Sequence, residues 1–200
     1  MQTITSPLTH VEDEHSISVL LSDKATKQAT AIQAQLVKLF GDAIWLQQPP
    51  ALHITLMEII GNTEYHGMTR QQHFQQWYEM YAQTTKEVLA DVAPFAITFD
   101  QLLVSKRAII IMAAESRPFN DIREALLAKI RLPEGTKLPP DITHATLARF
   151  GRAIDLDEAV QLAAGIRVNF TEHIEAFSLV KDLGPPHFNG IPMQTYPLRT

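Results

Sequence analysis

Residues 53–56 read His53-Ile54-Thr55-Leu56, and 91 residues later residues 144–147 read His144-Ala145-Thr146-Leu147. In an extended strand, residues i and i+2 project from the same face. His53 and Thr55 therefore share one face, while Leu52, Ile54 and Leu56 share the other. His144 and Thr146 are paired in the same way, with Ala145 and Leu147 opposite. An apolar strand that displays one imidazole and one hydroxyl is half of a polar site, and two such strands facing each other supply four convergent groups. Imidazole takes up or releases a proton near neutrality, and a threonine hydroxyl can donate to a phosphate oxygen. The set suits cleavage of a phosphodiester, which needs one proton removed from the attacking oxygen and one delivered to the leaving oxygen. That chemistry requires no metal and no cofactor. A single histidine in an apolar strand is more often structural than catalytic. The other six histidines, His10, His15, His66, His73, His173 and His187, are not followed two residues later by Ser or Thr. The repeat of the whole tetrad therefore carries the reading.

Outward from the first tetrad, alternating Ile17, Val19 and Leu21 predict a strand from His15. Ser22 or Asp23 can cap a helix that runs to Phe40, with Ala25, Ala29, Ile32, Leu36, Leu39 and Phe40 as its apolar face and Gly41 as its stop. A short strand at 43–46 and the Pro49-Pro50 break lead into the motif strand. Beyond the polar 61–70 segment, Phe74, Trp77, Tyr78, Tyr81, Val88 and Leu89 recur at helical spacing over 71–90. Such a stripe is more often core than ligand site. Strands follow at 95–104 and 108–113, joined by a turn at Ser105-Lys106-Arg107, and then a helix over 118–131. The second motif strand spans 142–150. A short helix after Asp155 or Asp157 ends at Gly165, one or two strands fill 167–181, and a last strand fills 190–198. The first half reads strand, helix, strand, motif strand, helix, strand, and the second follows a similar order, strand, helix, motif strand, helix, strand. The expected fold is α+β and bilobal, with two pseudo-symmetric lobes of antiparallel sheet and flanking helices around a central cleft. Residues 1–14 are expected to be a flexible segment and 15–200 a single domain.

The 200 residues are 46% hydrophobic and 20% charged, enough for a sizeable core, and the formal net charge is -5. That balance argues against a surface that tracks long duplexes, which needs clustered Lys and Arg. An RNA 3′ end or a small cyclic nucleotide in a local pocket remains compatible. The absence of cysteine excludes disulfides, zinc–thiolate sites and thiol nucleophiles. No basic, apolar leader opens the sequence and no apolar run is long enough to cross a bilayer, so a cytoplasmic location without membrane contact is expected. Assembly is not coded in the sequence, and a monomer is the default expectation.

The two tetrads are also where the sequence resembles the two-histidine phosphoesterase superfamily, the LigT-like proteins often called 2′-5′ RNA ligases. Trp45, Pro49 and Pro50 before Leu52-His53-Ile54-Thr55-Leu56, and Gly61 after it, resemble the family's first block. Pro139-Pro140 and Thr143-His144-Ala145-Thr146-Leu147-Ala148-Arg149 resemble the second, including its trailing Arg. Pro94-Phe95, Phe177-Ser178-Leu179-Val180-Lys181 and Tyr196 resemble further segments, so the likeness spans roughly 15–198. The 62–70 segment with the helix behind it is longer and more aromatic than in compact members, and Asp141-Ile142-Thr143 stands where a Pro-His pair is frequent. The resemblance implies a bilobal fold and chemistry on RNA-type phosphodiesters: 2′,3′-cyclic phosphate ends, 2′-5′ linkages or small cyclic nucleotides, in hydrolysis or in ligation. Hydrolysis of a 2′,3′-cyclic phosphate to a 2′-phosphate is the preferred expectation, with His144 activating water and His53 protonating the leaving oxygen.

Other side chains are weighed by strand parity. Arg149 falls on the face opposite His144 unless a bulge re-aims it, and it would bind phosphate or be an ordinary sheet-edge charge. Phe150 falls on the His144 face, to stack on a base or to join the core. Tyr65 and His66 lie where a lid over the substrate would sit, or are plain loop residues. Lys181 would face the cleft or solvent. Competing readings are a nucleotide-binding module without turnover, and a metal hydrolase using His53 and His144. The latter lacks any His-x-x-x-His spacing, and Glu58 and Asp141 are poorly placed to complete it.

Overall fold

The computed structural model describes residues 1–3, 14–60, 68–114, 117–132, 138, 142–182 and 190–199. Nine strands and four α-helices occur among them. Strand β1 (Glu14–Leu20) leads into α1 (Asp23–Phe40), then β2 (Ile44–Leu46), β3 (His53–Ile60) and α2 (Arg70–Leu89). The hairpin β4 (Phe95–Val104) and β5 (Ala108–Ala113) is followed by α3 (Arg117–Leu127), β6 (His144–Phe150) and α4 (Leu156–Ala163). Strands β7 (Phe170–Ile174), β8 (Ala176–Asp182) and β9 (Gly190–Pro197) complete the chain. All pairings are antiparallel, in the order β7-β4-β5-β6-β3-β1-β8-β9, with β2 pairing β6 on the same edge as β3, farther along the strand.

The order reads alike from both ends. One half holds β6, β5, β4 and β7, and the other holds β3, β1, β8 and β9. They meet through one pair of residues, Ile54 and Ala145. The two expected lobes are thus halves of one continuous sheet, joined at its narrowest point between the motif strands.

Helix α1 forms where the sequence places it. Ser22 caps it, its Oγ accepting from the Ala25 amide at 3.3 Å, and it ends at Gly41, whose φ of 54° suits a residue without a Cβ. Ala25, Ala29, Ile32, Leu36 and Phe40 are buried, whereas Leu39 faces solvent. On α2, Phe74, Tyr81 and Leu89 are buried, but Trp77 is exposed, so the aromatic stripe is narrower than its spacing suggests.

Two of the helices cross between the halves. Helix α1 follows β1 but packs against β6, β7 and α4, and α3 follows β5 but packs against β3 and α2. The buried Glu172 of β7 anchors the crossing of α1, accepting from the Ser22 amide and hydroxyl at 2.8 and 2.7 Å. The segment expected as one or two strands after α4 is two strands in different halves, separated only by Glu175. Residues 1–3, expected in a loose segment, pack against the start of α4: the Thr3 amide donates to Ile154 O at 2.8 Å and Thr3 is buried. Glu14 already belongs to β1, and the rest of that segment lies outside the described residues. None of the described helices is long and apolar enough to cross a membrane.

Candidate active site

The motif strands run antiparallel, and the Ile54–Ala145 pair fixes their register. His53 therefore lies across from Thr146, and Thr55 across from His144. Each histidine faces the other motif's threonine about a local pseudo-twofold axis. Ile54 and Ala145 are fully buried beneath, and the four polar side chains, half-buried, line a cleft of about 400 Å³.

Both strands carry the same irregularity. In β3, Met57 pairs with Ile17 and Thr55 with Ser18, so Leu56 is an extra residue. In β6, Ala148 pairs with Ile109 and Thr146 with Ile110, so Leu147 is the extra one. A bulge reverses the parity of everything after it. Two consecutive buried residues follow each threonine, Leu56-Met57 and Leu147-Ala148, and the next side chain returns to the cleft. That side chain is Glu58 in one strand and Arg149 in the other. Arg149, expected on the far face, therefore lines the cleft. Phe150, expected beside His144, is fully buried in the core and cannot stack on a base in the cleft.

Each bulge is held by a buried donor from the helix packed behind it. Arg123 of α3 donates from Nε to Leu56 O at 2.8 Å, and from Nη2 to Thr55 O and Ile142 O, both at 3.3 Å. Gln33 of α1 donates from Nε2 to Leu147 O at 2.9 Å and to Gln47 O at 2.7 Å. The two leucine carbonyls are symmetry counterparts, and both are relieved of an unpaired buried state that costs about 1–3 kcal/mol. The Gln47 amide also donates to Leu147 O, and its Nε2 donates to Ala51 O at 3.1 Å. His53 Nδ1 lies 2.8 Å from the same carbonyl. A carbonyl only accepts, so Nδ1 carries hydrogen and Nε2 is the nitrogen left for chemistry. A buried amide chain thus runs from the β6 bulge to the tautomer of His53.

The walls of the cleft differ. On the β3 side stand Ser16 and Glu58, with Ser16 Oγ 2.8 Å from Ser18 Oγ. Glu14 and His15 complete that end, the His15 ring stacked on Phe74 with centroids 3.6 Å apart. On the β6 side stand Ala108, Ile110 and Leu103, with Arg149, Ser105 and Arg107 beyond. Gln47, Ile142 and Leu138 also line the cleft. Lys181 does not line it. Tyr65 and His66 lie outside the described residues, as does Asp141. Among the described residues no group of three or more His, Asp or Glu is placed to hold a metal ion.

Sequence parity missed Glu58, Arg123 and Gln33. For Glu58 a local signal exists, since the doubled apolar pair Leu56-Met57 interrupts an alternating strand. For Arg123 and Gln33 none does, because their partners are distant in the chain.

No family model matches the sequence, and no curated protein does. Solved structures do match. TT0787 of Thermus thermophilus superposes with a TM-score of 0.64 at 16% identity, over 93% of this chain and 98% of that one. E. coli LigT complexed with NADP+ gives 0.63 at 14%, over 94% and 98%. The MHV ns2 PDE domain gives 0.54 at 18%, over 85% and 99%. At these identities the likeness is one of fold, and it extends over nearly the whole of each structure.

Proposed function

We propose that this chain, which has the LigT-type fold, is a two-histidine phosphodiesterase that opens 2′,3′-cyclic phosphates at RNA-type ends to 2′-phosphomonoesters. The observation that carries the proposal is the antiparallel register of the two motif strands, which sets each imidazole against the opposite hydroxyl in one cleft. The fold shared with LigT and with a phosphodiesterase domain supports it.

In this reading His144 takes a proton from water, and the water oxygen attacks phosphorus. The bond from phosphorus to the 3′ oxygen breaks as His53 delivers a proton to that oxygen from Nε2. Thr55 and Thr146 donate to the non-bridging oxygens, where negative charge grows in the transition state. The contact between His53 Nδ1 and Ala51 O holds the ring so that Nε2 serves the reaction in either protonation state. The products are a 2′-phosphate and a 3′ hydroxyl, and exchange with solvent resets both imidazoles.

The test is hydrolysis of nucleoside 2′,3′-cyclic monophosphates and of oligonucleotides ending in a 2′,3′-cyclic phosphate, with EDTA present. His53→Ala and His144→Ala should each lower kcat by about 10²- to 10⁴-fold with an unchanged circular dichroism spectrum. Full activity in both variants would sink the mechanism. Tight nucleotide binding with no turnover over the whole panel would make the cleft a binding module.

A further inference from the structure

The pseudo-twofold axis relates the two walls position by position, so their chemistry can be compared directly. Histidine answers histidine, threonine answers threonine and each bulge leucine answers the other. Three further positions do not match. Glu58 stands where the other half has Arg149, because each is the first cleft-facing residue after its bulge. Ser16 stands where the other half has Ala108, two positions before the strand residue paired with the motif threonine. Ser18, paired with Thr55, stands where the other half has Ile110, paired with Thr146. The difference continues into the next strand on each side. Ser178 pairs with Ser18, whereas Leu103, 41% exposed, pairs with Ile110. The β3 wall thus presents the Ser16 hydroxyl, with Ser18 and Ser178 buried behind it, and ends in the Glu58 carboxylate; the β6 wall presents Ala108, Ile110 and Leu103 and ends in the Arg149 guanidinium, with Ser105 and Arg107 beside it.

We propose that this polarity fixes how a substrate lies across the axis: the nucleoside and the phosphate next along its chain occupy the β6 wall, and Glu58 reserves the β3 wall for water, so the enzyme processes ends and rejects internal linkages. The inference rests on the phosphodiesterase reading above and deepens it. An apolar surface at Leu103 and Ile110 suits a nucleoside face, and Arg149 suits a phosphate oxygen pair. A strand rises about 3.3 Å per residue, which puts Glu58 and Arg149 each about 10 Å from the Ile54–Ala145 pair, on opposite sides of it. An internal phosphodiester has a nucleotide on both sides of the reacting phosphorus. One of the two would have to lay its outer phosphate along the β3 wall, against the Glu58 carboxylate. Like charges held together oppose binding, and this is a common route to specificity. A terminal cyclic phosphate has nothing on that side but the incoming water. The same placement sets the leaving oxygen on the Thr146 wall, which His53 faces, and water on the Thr55 wall, which His144 faces.

The experiment compares kcat/KM on two strands of equal length, one ending in a 2′,3′-cyclic phosphate and one with an internal 2′-5′ linkage. Wild type should favour the first by at least about tenfold, and Glu58→Gln and Glu58→Arg should lower that ratio stepwise, the reversal by about tenfold or more. Arg149→Met should remove the advantage of a cyclic-phosphate nucleotide that carries a 5′-phosphate over one that lacks it. An unchanged ratio in both Glu58 variants overturns the proposal while leaving the phosphodiesterase reading intact, as His144→Ala run in parallel would show. Should wild type cleave neither strand, the phosphodiesterase reading fails and calorimetric titration decides this one. A 2′-5′-linked strand binding about tenfold tighter to Glu58→Arg than to wild type would uphold it, and equal affinity would overturn it.

Discussion

The half of the molecule built on β3 and the half built on β6 share a topology, a motif and a bulge, yet they are stabilised and equipped differently. Behind β3 a guanidinium, Arg123, reaches three carbonyls and the side chain of Asn120. Behind β6 a neutral amide, Gln33, reaches two. In the helix that follows the motif strand, α2 has 20 residues and α4 has 8. The lesson is that the two halves match at the His and Thr positions on the axis and at the bulges. Behind them the halves differ, yet each bulge carbonyl has a donor.

The comparison can be broken most forcefully at those donors. Arg123→Met strands Leu56 O, Thr55 O and Ile142 O, and should cost about 2–4 kcal/mol in urea unfolding. Gln33→Leu strands fewer groups and should cost less, about 1–3 kcal/mol. Equal losses would mean that the two bulges are held alike, whatever the chemistry of the donor. An effect comparable to that of Gln33→Leu is expected where β6 ends. A Cβ on Gly151 would lie 2.6 Å from Trp45 Nε1, so Gly151→Ala should cost about 1–3 kcal/mol through displacement of the indole. Trp45 pairs with Arg149, so this variant should also raise KM more than it lowers kcat. An unchanged KM would separate the indole from the cleft.

The smallest expected effect sharpens the contrast between α2 and α4. Burial holds the His73 imidazole on α2 below its usual 6.5, and α4 has no histidine. The unfolded chain then binds more protons than the native one in the window below about pH 6.5. Stability rises with pH there, is fully present above 6.5 and is lost as pH falls toward the folded value. His73→Gln should flatten that part of the stability–pH curve, and an unaltered slope would assign it elsewhere.

Much of this was legible from residues alone. Periodicity located the helices because their buried faces are written in local spacing, and Ser22 and Gly41 mark α1 by their own chemistry. The four groups on the axis were legible because a strand before its first irregularity has strict parity. Parity failed at one step, the bulge, which put Arg149 and Phe150 on the wrong faces and hid Glu58. The bulge depends on donors from helices packed across the molecule, and no sequence window contains both partners. The crossing of α1 and α3, and the parting of β7 and β8 at Glu175, were invisible for the same reason.

By itself, then, the sequence determined the elements, the α+β class and the two His-x-Thr strands, since each rests on interactions within a few residues. The tertiary structure alone decided that the strands meet antiparallel at Ile54 and Ala145, and that the motifs therefore oppose each other crosswise. It also decided that one wall of the cleft ends in Glu58 and the other in Arg149. Those facts depend on pairing between segments far apart in the chain, where register is set by the whole sheet and by buried hydrogen bonds that no local pattern encodes.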